Sequence, residues 1–240
     1  MRSPFWLLVV PCGAAMILVA PRALAQSASG EEGCSAGDAR ACLAAGIRLE
    51  QSDSPGKAAG YYQAACAGGA GAGCRRLGDL LAYGRGVSAD GAKASDLYQR
   101  GCDQGNAPAC TAAGQVFRAG VLVNANLGLA VSLFGRGCDL GDLPACSSLG
   151  SMYRSGEGVL QNGASAATYY RRACEGGRPE DCVTLGAMYE NGDAISPSFS
   201  EAVRLYQRGC DLDHAGACFS LATMYENGKG VTRSDRRALA

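Results

Sequence analysis

The sequence predicts an all-α protein, a stack of about six helical hairpins in which each hairpin is stapled by a disulfide. Three observations predict it. All the cysteines but Cys12 fall in regularly stepped pairs, and glycines and aromatics recur in register with those pairs. Small residues also outweigh bulky ones: 35 glycines stand beside 10 tyrosines, 5 phenylalanines and 1 tryptophan. A single layered globule would use more bulk, whereas this composition suits helices packed backbone-close in a repetitive array.

The pairs are Cys34 with Cys42, Cys66 with Cys74, Cys102 with Cys110, Cys138 with Cys146, Cys174 with Cys182 and Cys210 with Cys218, each with a spacing of 8. Successive pairs step by 32 residues and then four times by 36, the signature of an internal repeat. Eight residues spanning a helix–turn–helix bring two Cα atoms to bridging distance, so each pair is read as a local structural disulfide. Such a short closed loop stabilises by about 2–3 kcal/mol in the chain-entropy account. Zinc binding is excluded by the spacing and by the single histidine, His214. A redox-active dithiol needs C-x-x-C, which the sequence lacks.

Other positions keep the same register. Gly46, Gly78, Gly114, Gly150, Gly186 and then Ala222 lie four residues after the second cysteine. Leu49, Leu81, Phe117, Tyr153, Tyr189 and Tyr225 follow three further on, and Gly84, Gly120, Gly156, Gly192 and Gly228 come next. Ahead of each following pair stands an alanine (Ala58, Ala94, Ala130, Ala166, Ala202) and then an aromatic (Tyr62, Tyr98, Phe134, Tyr170, Tyr206).

These spacings read as two helices per unit. Cys146, Leu149, Gly150 and Tyr153 share one helical face, as do Ala166, Tyr169, Tyr170, Ala173 and Cys174 in the next segment. The first type, helix A, is expected over Ala107–Ala119, Leu143–Ser155, Pro179–Asn191 and Ala215–Asn227, with a helix B between each. Gly156 and its equivalents are C-caps, and Pro108, Pro144 and Pro179 fall in the first turn, where a missing N–H costs nothing. A mid-helix glycine costs about 1 kcal/mol against alanine. Its recurrence predicts that a helix B aromatic packs on that bare backbone.

The ends differ. Residues 1–25 read as a signal peptide: Phe5 to Ala20 carries no charge, and Ala23-Leu24-Ala25 is a small-x-small site with cleavage before Gln26. Pro11 and Pro21 leave the run short for a membrane span; an uncleaved anchor is the alternative. Residues 26–33 read as a flexible linker. The solenoid then runs over 34–240, with units near 34–65, 66–101, 102–137, 138–173, 174–209 and 210–240. Unit one is four residues short, and the last unit reaches Ala240 inside its helix B; whether this is a cap or a truncation stays open. Removing Arg2 and Arg22 leaves 20 basic against 22 acidic residues, a net charge of about −2. Neither a nucleic-acid footprint nor a polybasic membrane patch is present. The leader and the bridges together imply an oxidising compartment, periplasmic or secreted. No cofactor is expected, and the chain is read as a monomer.

The run C-x7-C-x2-L-G-x2-Y-x2-G-x-G-V, complete from Cys138 to Val159 and nearly so from Cys66 to Val87, resembles the Sel-one-like repeat. The paired cysteines resemble its Hcp-type, cysteine-rich secreted branch. The resemblance covers 34–240. It implies a right-handed α/α superhelix related to tetratricopeptide arrays, with helices A on the concave side and a role as an adaptor for other proteins. The Hcp-type branch also implies penicillin binding and weak β-lactamase activity, without a catalytic motif to carry over.

For hydrolysis, the single S-x-x-K is Ser54-Pro55-Gly56-Lys57, which lacks the partner motifs of serine β-lactamases. Ser54 before Pro55 reads more simply as a helix N-cap. His214 reads as a solvated turn residue, and Glu31 with Glu32 and Glu180 with Asp181 as solvated carboxylates. No catalytic residue is assigned. The remaining candidate is the concave face of helices A, which offers Arg76, Tyr83, Gln115, Arg118, Ser151, Arg154, Glu190, Asn191, Glu226 and Asn227, with Arg75 and Asp79 beside them. Arg76, Arg118 and Arg154 are expected to form a row on one wall, a fork suited to carboxylates, opposed by Glu190 and Glu226. The ligand classes this implies are a protein or extended peptide, a carboxylate-bearing cell-wall fragment, or a β-lactam.

Overall fold

The computed structural model describes residues 32–238 of the 240-residue chain. The expected signal peptide therefore lies outside the described residues, as do 26–31 of the expected linker. Residues 32 and 33, expected in that linker, belong instead to a helical turn over 32–35 that carries Cys34. This turn occupies the repeat position at which the other units have the end of a helix B.

Helices A are α1 (Ala39–Gln51), α3 (Gly71–Tyr83), α5 (Ala107–Ala119), α7 (Leu143–Ser155), α9 (Pro179–Asn191) and α11 (Ala215–Asn227). Helices B are α2 (Pro55–Ala67), α4 (Gly91–Asp103), α6 (Leu127–Asp139), α8 (Gly163–Glu175) and α10 (Phe199–Asp211), followed by α12 (Asp235–Ala238). The chain alternates A and B, and each helix packs chiefly on its neighbours in sequence. The product is a right-handed α/α superhelix. Helices A of successive units touch one another more extensively than helices B do, so the A layer lines the inner, concave side. Among the described residues there is no strand, and no helix is long and apolar enough to cross a membrane.

Local chemistry fixes the boundaries. Helices α4, α6, α8 and α10 begin where the side chains of Asp90, Asn126, Asn162 and Ser198 accept backbone N–H bonds three residues on. Helices α3, α5, α7, α9 and α11 stop at Gly84, Gly120, Gly156, Gly192 and Gly228, all left-handed, a conformation in which a Cβ would be strained. The prolines Pro108, Pro144 and Pro179 sit in the first turn of their helices.

The core is a row of glycine–aromatic contacts. A Cβ on Gly46 would lie 2.5 Å from Tyr62, on Gly78 2.7 Å from Tyr98, on Gly114 2.8 Å from Phe134, and on Gly186 2.6 Å from Tyr206. At Gly150 the distance to Tyr170 is 3.1 Å. The five aromatics are all buried. Helix B can thus approach helix A closely only where helix A has no side chain.

Six disulfides tie the units together. Cys34 is bonded to Cys42 with a Cα–Cα distance of 4.4 Å, Cys66 to Cys74 at 4.5 Å, and Cys102 to Cys110 at 4.5 Å. Further along, Cys138 is bonded to Cys146 at 4.7 Å, Cys174 to Cys182 at 4.8 Å, and Cys210 to Cys218 at 4.6 Å. Each bridge joins the end of a helix B to the next helix A, holding the turn between units. Cys74, Cys110, Cys146 and Cys182 are fully buried in the first turns of α3, α5, α7 and α9, whereas Cys218 of α11 is half-buried near the end of the stack.

Candidate functional site

The charged residues near the ends of helices A are used between units. Arg118 on α5 donates from Nε and Nη2 to Glu157, which follows the C-cap of α7. Arg154 on α7 meets Asp193 beyond α9 at 3.5 Å, and Glu190 on α9 meets Lys229 beyond α11 at 3.2 Å. Glu50 on α1 meets Arg85 beyond α3 at 3.1 Å. Each couple joins the same two repeat positions in adjacent units, and the sign of the charge reverses along the stack without breaking the match.

These couples correct the expected row of arginines. Arg118 and Arg154 occupy equivalent positions one 36-residue step apart, and both are turned onto carboxylates of the next unit. Arg76 lies 42 residues before Arg118, out of register, and donates backward to Glu50 at 3.1 Å. Glu190 is not free to oppose a ligand, because it accepts from the Tyr206 hydroxyl at 3.0 Å as well as from Lys229. Ser151 is half-buried beside the Tyr170 hydroxyl. Tyr83, Gln115, Asn191, Glu226 and Asn227 are exposed.

One junction departs from the pattern. Between units two and three the coupled positions hold Ala82 and Val121, which can form no ion pair. The loop of unit three also has Leu122 where the equivalent loops have Gly86, Gly158, Ala194 and Gly230, all in left-handed geometry. A notch of about 480 Å³ opens there on the concave side, between α3, α5 and the start of α7. Its walls are apolar, with Tyr83 76% and Val121 80% exposed. Val116 and Leu122 line it as well, and Pro108 and Pro144 stand at its edges.

Polar groups at its rim are ordered unequally. Asp79 accepts from Arg75 at 2.7 Å and from the Tyr98 hydroxyl at 2.9 Å. Burial, and then the nearby Asp79 carboxylate, push the Tyr98 hydroxyl well above its ordinary range, so it remains a donor. Asp142 accepts from the Thr111 hydroxyl, and among the described residues no basic side chain forms an ion pair with it. Of the residues read from the sequence as groove-forming, the notch gathers Tyr83 and Gln115, with Arg75 and Asp79. Sequence reasoning missed Val121, Leu122 and Asp142. Comparing the repeat positions would have found the first two, since valine and leucine stand where the other units carry a charge and a glycine or alanine.

The hydrolase candidates stand at helix starts. Ser54 occupies the N-cap position of α2, with Pro55 in the first turn, and its side chain makes no cap hydrogen bond. His214 is the N-cap of α11 and accepts the Ala217 N–H through Nδ1 at 3.2 Å, so it is more than a solvated turn residue. Asp181, read as solvated, is 4% exposed and accepts from Arg178 at 2.8 Å and Ser147 at 2.6 Å. Among the described residues no group of three or more His, Cys, Asp or Glu side chains is placed to hold a metal ion.

The Sel1 repeat family model matches residues 37–69, 71–106, 107–142, 143–177, 181–214 and 215–240. No curated protein matches the chain. Among solved structures, the chain is similar to a protective antigen of uropathogenic Escherichia coli strains displaying an SLR fold. Their sequences are 25% identical with a TM-score of 0.80, over 88% of this chain and 46% of that one. The chain thus spans about half the length of that relative. It is also similar to a Sel1 repeat protein from Oxalobacter formigenes, at 25% identity and a TM-score of 0.75, over 82% of this chain and 81% of that one.

Proposed function

The chain belongs to the Sel1 repeat family, and from that premise we propose that it is an extracytoplasmic interaction scaffold that holds an extended peptide segment of a partner protein against its concave face. One observation carries the reading. Tyr83 and Val121 stand exposed around an apolar notch in a layer whose other equivalent junctions are closed by ion pairs. Exposed apolar surface rimmed by polar groups is the mark of an interaction site, and 480 Å³ is within the range that seats a ligand's side chains. The six bridges support the compartment, since such bonds persist in oxidising surroundings, periplasmic or exterior. Affinity capture from periplasmic extract tests the reading, with wild type beside a Tyr83→Ala, Val121→Ser variant. The expected result is a partner held by the wild type and lost by the variant. Equal capture by both would move the site elsewhere on the superhelix.

A further inference from the structure

We infer that the notch between units two and three selects a peptide carrying an aliphatic or aromatic residue next to a lysine or arginine. This rests on the scaffold reading above and names the chemistry of its ligand. Two independent features carry it.

The first is the shape and polarity of the cavity. Ala82 and Val121 replace a charged couple, so the apolar walls are not bridged across the opening. At the equivalent junction further along, Arg118 reaches over and bonds Glu157 with two nitrogens, which closes the surface. An apolar side chain entering the open junction would cover Val121 and Tyr83, two large and strongly exposed hydrophobic groups. The gain scales with the apolar area removed from water.

The second is charge. The carboxylates of Asp79 and Asp142 both line the notch, against the single guanidinium of Arg75. Arg75 is already committed to Asp79 at 2.7 Å. Asp142 is half-buried and bonded to one neutral hydroxyl, that of Thr111, so a carboxylate oxygen retains the capacity to accept further bonds. A ligand ammonium or guanidinium placed there forms a charge-assisted bond, which is stronger than a neutral one. An acidic peptide would meet an excess negative charge instead. The apolar walls and Asp142 line one cavity, so the two recognised side chains are neighbours on an extended ligand.

The test is to pan a random dodecamer phage library on the intact, oxidised protein, and then to titrate the best labelled peptide by fluorescence anisotropy. The expected outcome is enrichment of peptides with an aromatic or branched aliphatic residue adjacent to Lys or Arg, with binding abolished by Val121→Glu. Asp142→Asn keeps the acceptor for Thr111 but removes the charge; it should weaken the basic peptide about tenfold, the loss of one charge-assisted bond. The same substitution should leave a variant of the peptide with Ser in place of its Lys or Arg unaffected. Thermal melts of both proteins, both changed at solvent-accessible side chains, exclude misfolding as the cause. Enriched peptides without a basic residue, still sensitive to Val121→Glu, would overturn this inference while the scaffold reading stands. Peptides bound equally by Val121→Glu, or none enriched, would overturn both. Self-association lost in Val121→Glu, seen by sedimentation, would assign the notch to a second copy of the chain and also overturn it.

Discussion

Arg118 and Glu157 form a two-pronged ion pair, with Nη2 2.6 Å and Nε 3.0 Å from the carboxylate oxygens, that joins the end of α5 to the loop after α7. The pair is the strongest instance of a relationship repeated at Glu50–Arg85, Arg154–Asp193 and Glu190–Lys229. Charge is reversed in the first and last couples, so the four charged junctions keep complementarity while the residues that supply it change.

That relationship predicts the outcome of a charge swap. About a third of each side chain of the Arg118–Glu157 pair is exposed, so Arg118→Ala should cost about 1 kcal/mol or less. Arg118→Glu sets two carboxylates together and should cost more. Adding Glu157→Arg should restore most of the loss, as a double-mutant cycle by thermal unfolding would show. Additive effects of the two substitutions would mean that the pair is not coupled.

Acid should loosen the same junctions. Hydrogen bonding from Arg118 holds the Glu157 carboxyl below its ordinary 4.5, against the opposing effect of burial. At Glu50 burial opposes ionisation, but the Tyr62 hydroxyl and the guanidinium groups of Arg76 and Arg85 outweigh it and lower that carboxyl too. With folded-state values depressed, the unfolded chain takes up protons first as the pH falls. The contribution is therefore present above pH 4.5 and lost as the pH drops through the lower folded-state values. Urea unfolding between about pH 7 and pH 3 should show this loss. The slope should be shallower in Glu157→Gln; an identical slope would contradict the assignment.

The glycine–aromatic contacts predict opposite signs for one substitution. Gly186→Ala sets a Cβ 2.6 Å from the Tyr206 ring and should destabilise by about 1–3 kcal/mol. Gly60 on α2 has nothing within 4 Å of its Cβ position, so Gly60→Ala should stabilise by about 1 kcal/mol through helix propensity alone. Gly150, with 3.1 Å to Tyr170, should fall between them. Melting temperatures in the order Gly60→Ala, Gly150→Ala, Gly186→Ala, from highest to lowest, would bear this out.

Reduction should act unit by unit. Each bridge closes a loop between residues 8 apart, so Cys138→Ala with Cys146→Ala should cost about 2–3 kcal/mol. Units contact chiefly their neighbours, and the loss should spread locally. Hydrogen exchange should therefore rise first around α6 and α7. Peptide mapping of the oxidised protein should recover six small loops, and any bridge between different pairs would refute the register.

The amino-acid sequence by itself determined the repeat, the alternation of two helix types and their limits. Those limits depend on residues close in the chain: a cap such as Asn126, a stop such as Gly156, a proline in the first turn. The observed bounds of α5, α7, α9 and α11 are those expected from the spacing. The contact of Gly78 with Tyr98 was legible too, since a glycine repeated in mid-helix has few uses besides admitting a neighbour. Tertiary structure decided where the charges point. Arg118 and Glu157 are separated by 39 residues, and their meeting depends on how far one hairpin is offset against the next, which no local periodicity specifies. The same offset buried Asp181 against Ser147 of the preceding unit, turned Arg76 back to Glu50, and left the notch where Ala82 and Val121 face each other without a charge to close it.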